Sequence, residues 1–220
     1  MSKKLVLFDL DGTLLNTIED LAAACNHALH EVGLGEHPVA DYPRYVGNGI
    51  YNLMRRALAG LGVQADLIEP TMLQMVTPFK AYYSAHGTEH TKPYPGIPEL
   101  LEELQRKGLK LAVASNKYQQ ATESMVSRLL PGIRFVAVLG QREGMPIKPD
   151  PKVVYEILEK AGVTADETLY VGDSDVDIRT AQVAGVEMAA VTWGFQNEEQ
   201  LLALQPQHIV HTPTEIEKLL

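Results

Sequence analysis

Short apolar runs recur along the chain: 5–8 (LVLF), 109–115 (LKLAVAS), 134–140 (RFVAVLG), 168–173 (TLYVGD) and 188–193 (MAAVTW). They are apolar continuously, not in alternation, which predicts strands covered on both faces, as in a parallel sheet. Between them apolar residues return at helical spacing in 97–108, 120–130, 150–162 and 177–185, with Gly108, Gly162 and Gly185 placed where three of these helices should stop. The alternation predicts an α/β fold with a Rossmann-like doubly wound parallel sheet as its core. One long stretch breaks the rhythm, because residues 16–90 read almost entirely as helix. Thr17-Ile18-Glu19-Asp20 reads as a capping box ahead of the stripe Ile18, Leu21, Ala22, Cys25, Ala28, Leu29 and Val32. Amphipathic segments at 49–60 and 65–86 follow, and KPYPG (92–96) marks a rigid return. The expected organisation is a core of 1–15 and 91–220 with an inserted α-helical cap at 16–90, a lid over the core.

Composition narrows the partners. The 220 residues are 45% hydrophobic, enough for a sizeable core, and carry a formal net charge of −9. A general attraction to nucleic acid or to an anionic membrane is therefore not expected, and an anionic substrate needs a local positive site. The single cysteine, Cys25, allows no internal disulfide and lies on an apolar helical face, where it reads as a small core residue. Four apolar residues before Asp9 fall far short of a signal segment or a membrane span, so a cytoplasmic protein is expected, a monomer or homodimer.

In an open parallel sheet, ligands bind beyond the carboxyl ends of the strands. Here the first run ends in Asp9-Leu10-Asp11-Gly12-Thr13 and the second in Ser115-Asn116. Lys148-Pro149-Asp150-Pro151 follows the third, and Gly172-Asp173-Ser174-Asp175-Val176-Asp177 closes the fourth. Asp9, Asp11, Asp173 and Asp177 together bring four negative charges against the one of Lys148, a deficit that a divalent cation would largely resolve. Oxygen ligands with open positions favour Mg2+. With that ion, Lys148 and the Ser115 hydroxyl would form an anion trap suited to a phosphoryl group. Asp9 can then attack phosphorus, while Asp11 gives a proton to the leaving oxygen and later takes one from water.

These four motifs, in this order, resemble those of the haloacid dehalogenase superfamily, phosphatase branch. The resemblance covers D-x-D-G-T at Asp9 to Thr13, the strand serine at Ser115, the lysine of K-P-x-P at Lys148 and G-D-S-x-x-D at Gly172 to Asp177. It implies an aspartyl-phosphate on Asp9 and general acid/base work by Asp11. It implies Mg2+ held by Asp9, the main-chain carbonyl of Asp11 and Asp173, with Asp177 orienting them, and phosphate held by Ser115, Asn116 and Lys148. Members that dehalogenate lack the second aspartate, so Asp11 favours a phosphate ester. Within the branch, N-T-I-E-D-L (16–21) and V-G-N-G (46–49) look most like phosphoglycolate phosphatases, which implies a small phosphorylated metabolite as substrate. That likeness would put Gly47, Asn48 and Gly49 in a substrate-facing loop and set Arg55 to meet a carboxylate; a plain helix start and a solvated charge are the simpler readings.

Rivals stay open within the family: a β-phosphoglucomutase-like phosphotransferase, a pyrophosphatase or a nucleotidase. From another class, a phospho-accepting switch domain also gathers acids, a hydroxyl and a Lys-Pro around Mg2+, but its acids sit on different strands and it has no helical lid. A calcium loop at Asp173 fails, since Ile178 stands where glycine is required and Ala184 where a bidentate Glu belongs. Gly47-x-Gly49 follows no strand, which argues against a dinucleotide fingerprint. The seven histidines are scattered, and Tyr170 and Trp193 read as packing residues.

Overall fold

LVLF becomes strand β1 (Leu5–Phe8) in the computed structural model, which describes residues 2–220, and its four residues are fully buried. The chain then runs through helices α1 (Ile18–Glu31), α2 (Gly49–Gly60) and α3 (Ala65–His86). Next come α4 (Ile97–Arg106), β2 (Lys110–Tyr118), α5 (Gln119–Leu129), β3 (Phe135–Gln141), α6 (Lys152–Ala161) and β4 (Thr168–Gly172). The sequence closes with α7 (Asp175–Ala184), β5 (Glu187–Val191), α8 (Glu198–Leu202), β6 (His208–Val210) and α9 (Pro213–Ile216). By contacts the chain divides into Met1–Asn16 with Pro93–Leu220, and Thr17–Lys92.

The first unit is a six-stranded sheet in the order β3-β2-β1-β4-β5-β6, parallel throughout. Leu5 lies opposite Lys110 on one side and Thr168 on the other, so β1 is central and apolar on both faces. Leu5, Leu7, Ala112, Ala114 and Tyr170 pack on one face against Val154 and Ile157 of α6 and Ile178 and Ala181 of α7. Burying each large aliphatic side chain here is worth ~1.5–3 kcal/mol. β3 departs from the expected double cover: as an edge strand it leaves Val136 exposed. β2 runs past Ser115 to Tyr118 with a register shift after Ala114, so Ser115 and Asn116 lie within an irregular strand end instead of beyond it.

In the second unit α1 buries Leu21, Ala22, Cys25, Ala28 and Leu29, the stripe read from its spacing. The capping box does not form. Thr17 has φ −105° and ψ 6°, not the extended backbone a cap requires, and its buried Oγ1 has no hydrogen-bond partner among the described residues. Asp20, 3% exposed, turns instead to the end of the unit and accepts from His90 N, Thr91 N and Thr91 Oγ1 (3.1, 2.8 and 2.6 Å). Nearby, His37 Nε2 faces the carbonyl of Ala57 at 2.8 Å and must donate, which leaves Nδ1 to accept from Tyr45 Oη at 3.3 Å. Burial pushes the Cys25 thiol up to about 11, so it is an inert core residue. Among the described residues no helix is long and apolar enough to cross a membrane.

Candidate active site

The apolar run of β1 ends because Asp9 passes the last ladder position: its N–H donates to Val171 O at 2.9 Å and its side chain turns to the sheet edge. The chain folds back at once, with Leu10 O accepting from Leu14 N and Leu15 N (3.0 and 2.9 Å). Gly12 makes the turn at φ +88°, and a Cβ there would lie 2.2 Å from Asp173 Oδ2. Gly194 is constrained from the other side, since its Cβ would lie 2.2 Å from Asp173 Cβ. Two glycines thus cradle one carboxylate. Asp173 itself is 1% exposed, accepting from Thr13 Oγ1 at 3.0 Å and Phe195 N at 2.8 Å. Trp193 Nε1 donates to Thr13 O at 3.1 Å and so ties the β5 loop to the β1 loop.

Lys148 lies at the centre. Its ammonium donates to Ala114 O (2.9 Å), Asp177 Oδ1 (2.7 Å) and Asp9 Oδ1 (2.9 Å), and these three acceptors match its three N–H groups. Asp9 Oδ1 also accepts Leu10 N at 2.7 Å. Asp177 is fully buried: Tyr170 Oη donates to Oδ1 at 3.1 Å, and Ser174 Oγ and N donate to Oδ2 at 2.5 and 3.2 Å, in the capping box that opens α7. Asn116 binds the Lys148 peptide reciprocally, donating to its carbonyl (3.0 Å) and accepting from its N–H (2.8 Å) across a cis Lys148–Pro149 bond. The Asn116 side chain is therefore a clamp on the lysine loop.

Asp9, Asp173 and Asp177 present carboxylate oxygens within 4.8 Å of one another. Burial, then Asp177, pushes the Asp9 carboxyl up to about 7 against the pull of Lys148. Burial, then Asp177 and Asp9, holds Asp173 well above the usual carboxylate range. Burial opposes the Lys148 charge, but Asp177 and Asp9 outweigh it and hold the ammonium well above its ordinary value. Because Asp9 keeps its proton to about 7 when folded and releases it near 3.8 when unfolded, the folded state binds more protons between those values. Asp9 thus contributes stability that is present below 3.8 and lost as pH rises through about 7. Chelated protein is expected to melt lower above neutrality than at about pH 5, with Asp9→Asn flattening the slope; identical slopes would contradict this assignment.

The structure brings Asp9, Asp11, Ser115, Asn116, Lys148, Asp173 and Asp177 to one edge of the core sheet. Sequence reasoning missed Lys117, whose Nζ lies 3.0 Å from Asp11 Oδ2. Its signal was the two-residue period of a strand, which puts 117 on the side of Ser115. It also missed Thr13 and underestimated Tyr170 and Trp193, which combine packing with a hydrogen bond to the site. With Lys117, four carboxylates face two ammonium groups, a formal excess of two negative charges when all four are ionised. In the helical unit, Gly47, Asn48 and Gly49 have φ of 112°, 59° and 80° and form the left-handed turn that starts α2. Arg55 forks onto Glu69 at 2.5 and 3.1 Å, both side chains being exposed.

The family model for haloacid dehalogenase-like hydrolases matches residues 6–191. The phosphoglycolate phosphatase of Pseudomonas putida is 34% identical over 207 residues, 94% of this chain and 76% of that protein. That of Aquifex aeolicus is 32% identical over 217 residues, 99% and 96% of the two chains. A crystal structure from Lactobacillus delbrueckii subsp. bulgaricus, whose assignment as a phosphoglycolate phosphatase is itself provisional, superposes with a TM-score of 0.93 at 33% identity, covering 100% of this chain and 98% of that one.

Proposed function

This chain belongs to the haloacid dehalogenase-like hydrolases and is a phosphatase, and from that premise we propose that it hydrolyses a small phosphomonoester of the phosphoglycolate type through an aspartyl-phosphate on Asp9. The observation that carries the reading is the crowding of carboxylates around a buried Asp9. With all four ionised they exceed the two ammonium groups by two charges, the charge of one divalent cation, and without it burial and mutual repulsion push Asp9 and Asp173 up. The donor set fits Mg2+: it offers oxygens only, and the glycines at 12 and 194 leave the Asp173 carboxylate room that any side chain would fill. Asp9, the Asp11 main-chain carbonyl and Asp173 would hold the ion, with Asp177 orienting them. Once bound, Mg2+ supplies positive charge that screens the approach of an anionic ester to Asp9.

The chain's own groups do the rest. Lys148 and Leu10 N fix Asp9 by Oδ1, which leaves Oδ2 to attack phosphorus. As the new O–P bond forms, the ester P–O bond breaks, and Asp11 delivers a proton to the departing oxygen. Water then attacks the phosphorus of the acyl phosphate while Asp11 takes its proton; inorganic phosphate leaves and the Asp9 carboxylate returns. Ser115 Oγ and the backbone N–H groups of the strand-end loops would hold the phosphoryl oxygens, while Lys148, its three N–H groups already engaged, would add positive charge beside them.

Purified protein with Mg2+ and a panel of phosphorylated metabolites provides the test, following release of inorganic phosphate. Multiple turnovers are expected, fastest on phosphoglycolate and esters of similar size. A stable phosphoprotein without turnover would overturn the hydrolase reading in favour of a switch. Phosphate passed to a second hydroxyl instead of water would do the same in favour of a mutase.

A further inference from the structure

We propose that Lys117 is a positioning residue, its ammonium fixing the Asp11 carboxyl so that Oδ1 is the oxygen that exchanges protons with the substrate. The inference rests on the reading of Asp11 as acid and base, and adds which atom acts and what aims it. Lys117 Nζ lies 3.0 Å from Asp11 Oδ2, in a pair whose side chains are only 4% and 16% exposed. Asp11 Oδ1, by contrast, is buried and has no hydrogen-bond partner among the described residues. Buried acceptors without a donor are rare, and one in such a place calls for an explanation, of which a catalytic role is one. With Oδ2 held by the ammonium, Oδ1 is the oxygen left to meet another group.

The lysine is anchored by its backbone. Lys117 N donates to Ser115 Oγ at 3.2 Å, and its carbonyl accepts Thr122 Oγ1 at 3.1 Å. A Cβ on Gly140 would lie 2.5 Å from that same carbonyl, so the neighbouring strand packs tightly against it. The phosphate-facing hydroxyl and the clamp on the acid therefore share one short, rigid piece of β2. In the first step the proton on Oδ1 passes to the ester oxygen as the electron pair of the breaking P–O bond settles there. In the second, water returns a proton to Oδ1 as its oxygen bonds to phosphorus and the Asp9 O–P bond breaks.

A merely structural lysine would lower activity on every substrate alike, whereas a residue that aims an acid matters most where the leaving group needs a proton. The experiment compares kcat/KM of Lys117→Met and wild type on phosphoglycolate, ethyl phosphate and p-nitrophenyl phosphate, with Mg2+ present. Both alkyl esters are expected to lose about 100-fold and the aryl ester at least tenfold less than they do, the usual scale for misplaced general acid catalysis. Lys117→Gln serves as a second variant should the first fold poorly, with melting curves as the control. Equal losses on all three esters would overturn the proposal. Loss confined to phosphoglycolate would also overturn it, making Lys117 a receptor for the substrate carboxylate. Asp11→Asn separates the two levels: if it discriminates between leaving groups and the lysine variants do not, only the positioning role falls; if it does not, the acid/base reading falls.

Discussion

Asp9→Asn is expected to abolish turnover, lowering kcat/KM on any phosphomonoester by roughly 10⁴-fold or more while the protein stays folded. The amide keeps the shape of the carboxylate and an oxygen for Leu10 N and Lys148, which now contact Oδ1. What it lacks is a nucleophilic oxygen pair. Burial and Asp177 already push the Asp9 carboxyl up to about 7, so a neutral side chain suits the metal-free site and no loss of stability should confuse the result. Phosphate release and trapping of labelled phosphoprotein after an acid quench check it: label on wild type, none on the variant. Hydrolysis at the wild-type rate would remove Asp9 as the nucleophile.

Lys148→Met should damage both stability and chemistry. Lys148 is 2% exposed and its ammonium is shared by Asp177 and Asp9. Removing one partner of a buried ionic cluster leaves charge uncompensated, and about 3–5 kcal/mol of stability is expected to go with it. The phosphoryl group also loses a cation, for a further drop of roughly 10²–10³-fold in kcat. Chemical denaturation with and without Mg2+ measures the first effect, which the cation should partly reverse because it too neutralises carboxylates. If the variant were as stable as wild type and indifferent to Mg2+, the electrostatic account of this site would be wrong.

The parts of the site that could be read in the sequence are those where a local pattern is broken by charge. LVLF interrupted by two carboxylates marks both a strand and the end of it that joins the candidate site, and the same holds where TLYVG meets Asp173. The helices at 18–31, 49–60 and 65–86 were legible from apolar spacing. Harder to see were features fixed by long-range packing. Lys117 acquires its meaning only when β2 lies beside β1, 106 positions away from Asp11 by number (117 against 11). Asn116 suggested a phosphate ligand, yet its amide is matched on both sides by the Lys148 peptide, a pairing no local window reveals. β6, with three residues, and the single turn of α9 are too short for periodicity to register. Thr17 and Asp20 have the spacing of a cap, but three donors at His90 and Thr91 compete successfully for Asp20.

The position of β1 also bears on how the chain reaches its native state. The strand carrying Asp9 is made before its neighbours in the sheet, which begin at Lys110 and Thr168, beyond the whole inserted unit. Contacts so distant in sequence raise the entropy of closure and slow folding. During synthesis LVLF must therefore wait, unpaired and wholly apolar, until the second half of the molecule has emerged. The strand that leads to Asp9 is thus an apolar segment open to wrong pairing in a nascent chain, and one that a chaperone would have reason to shield.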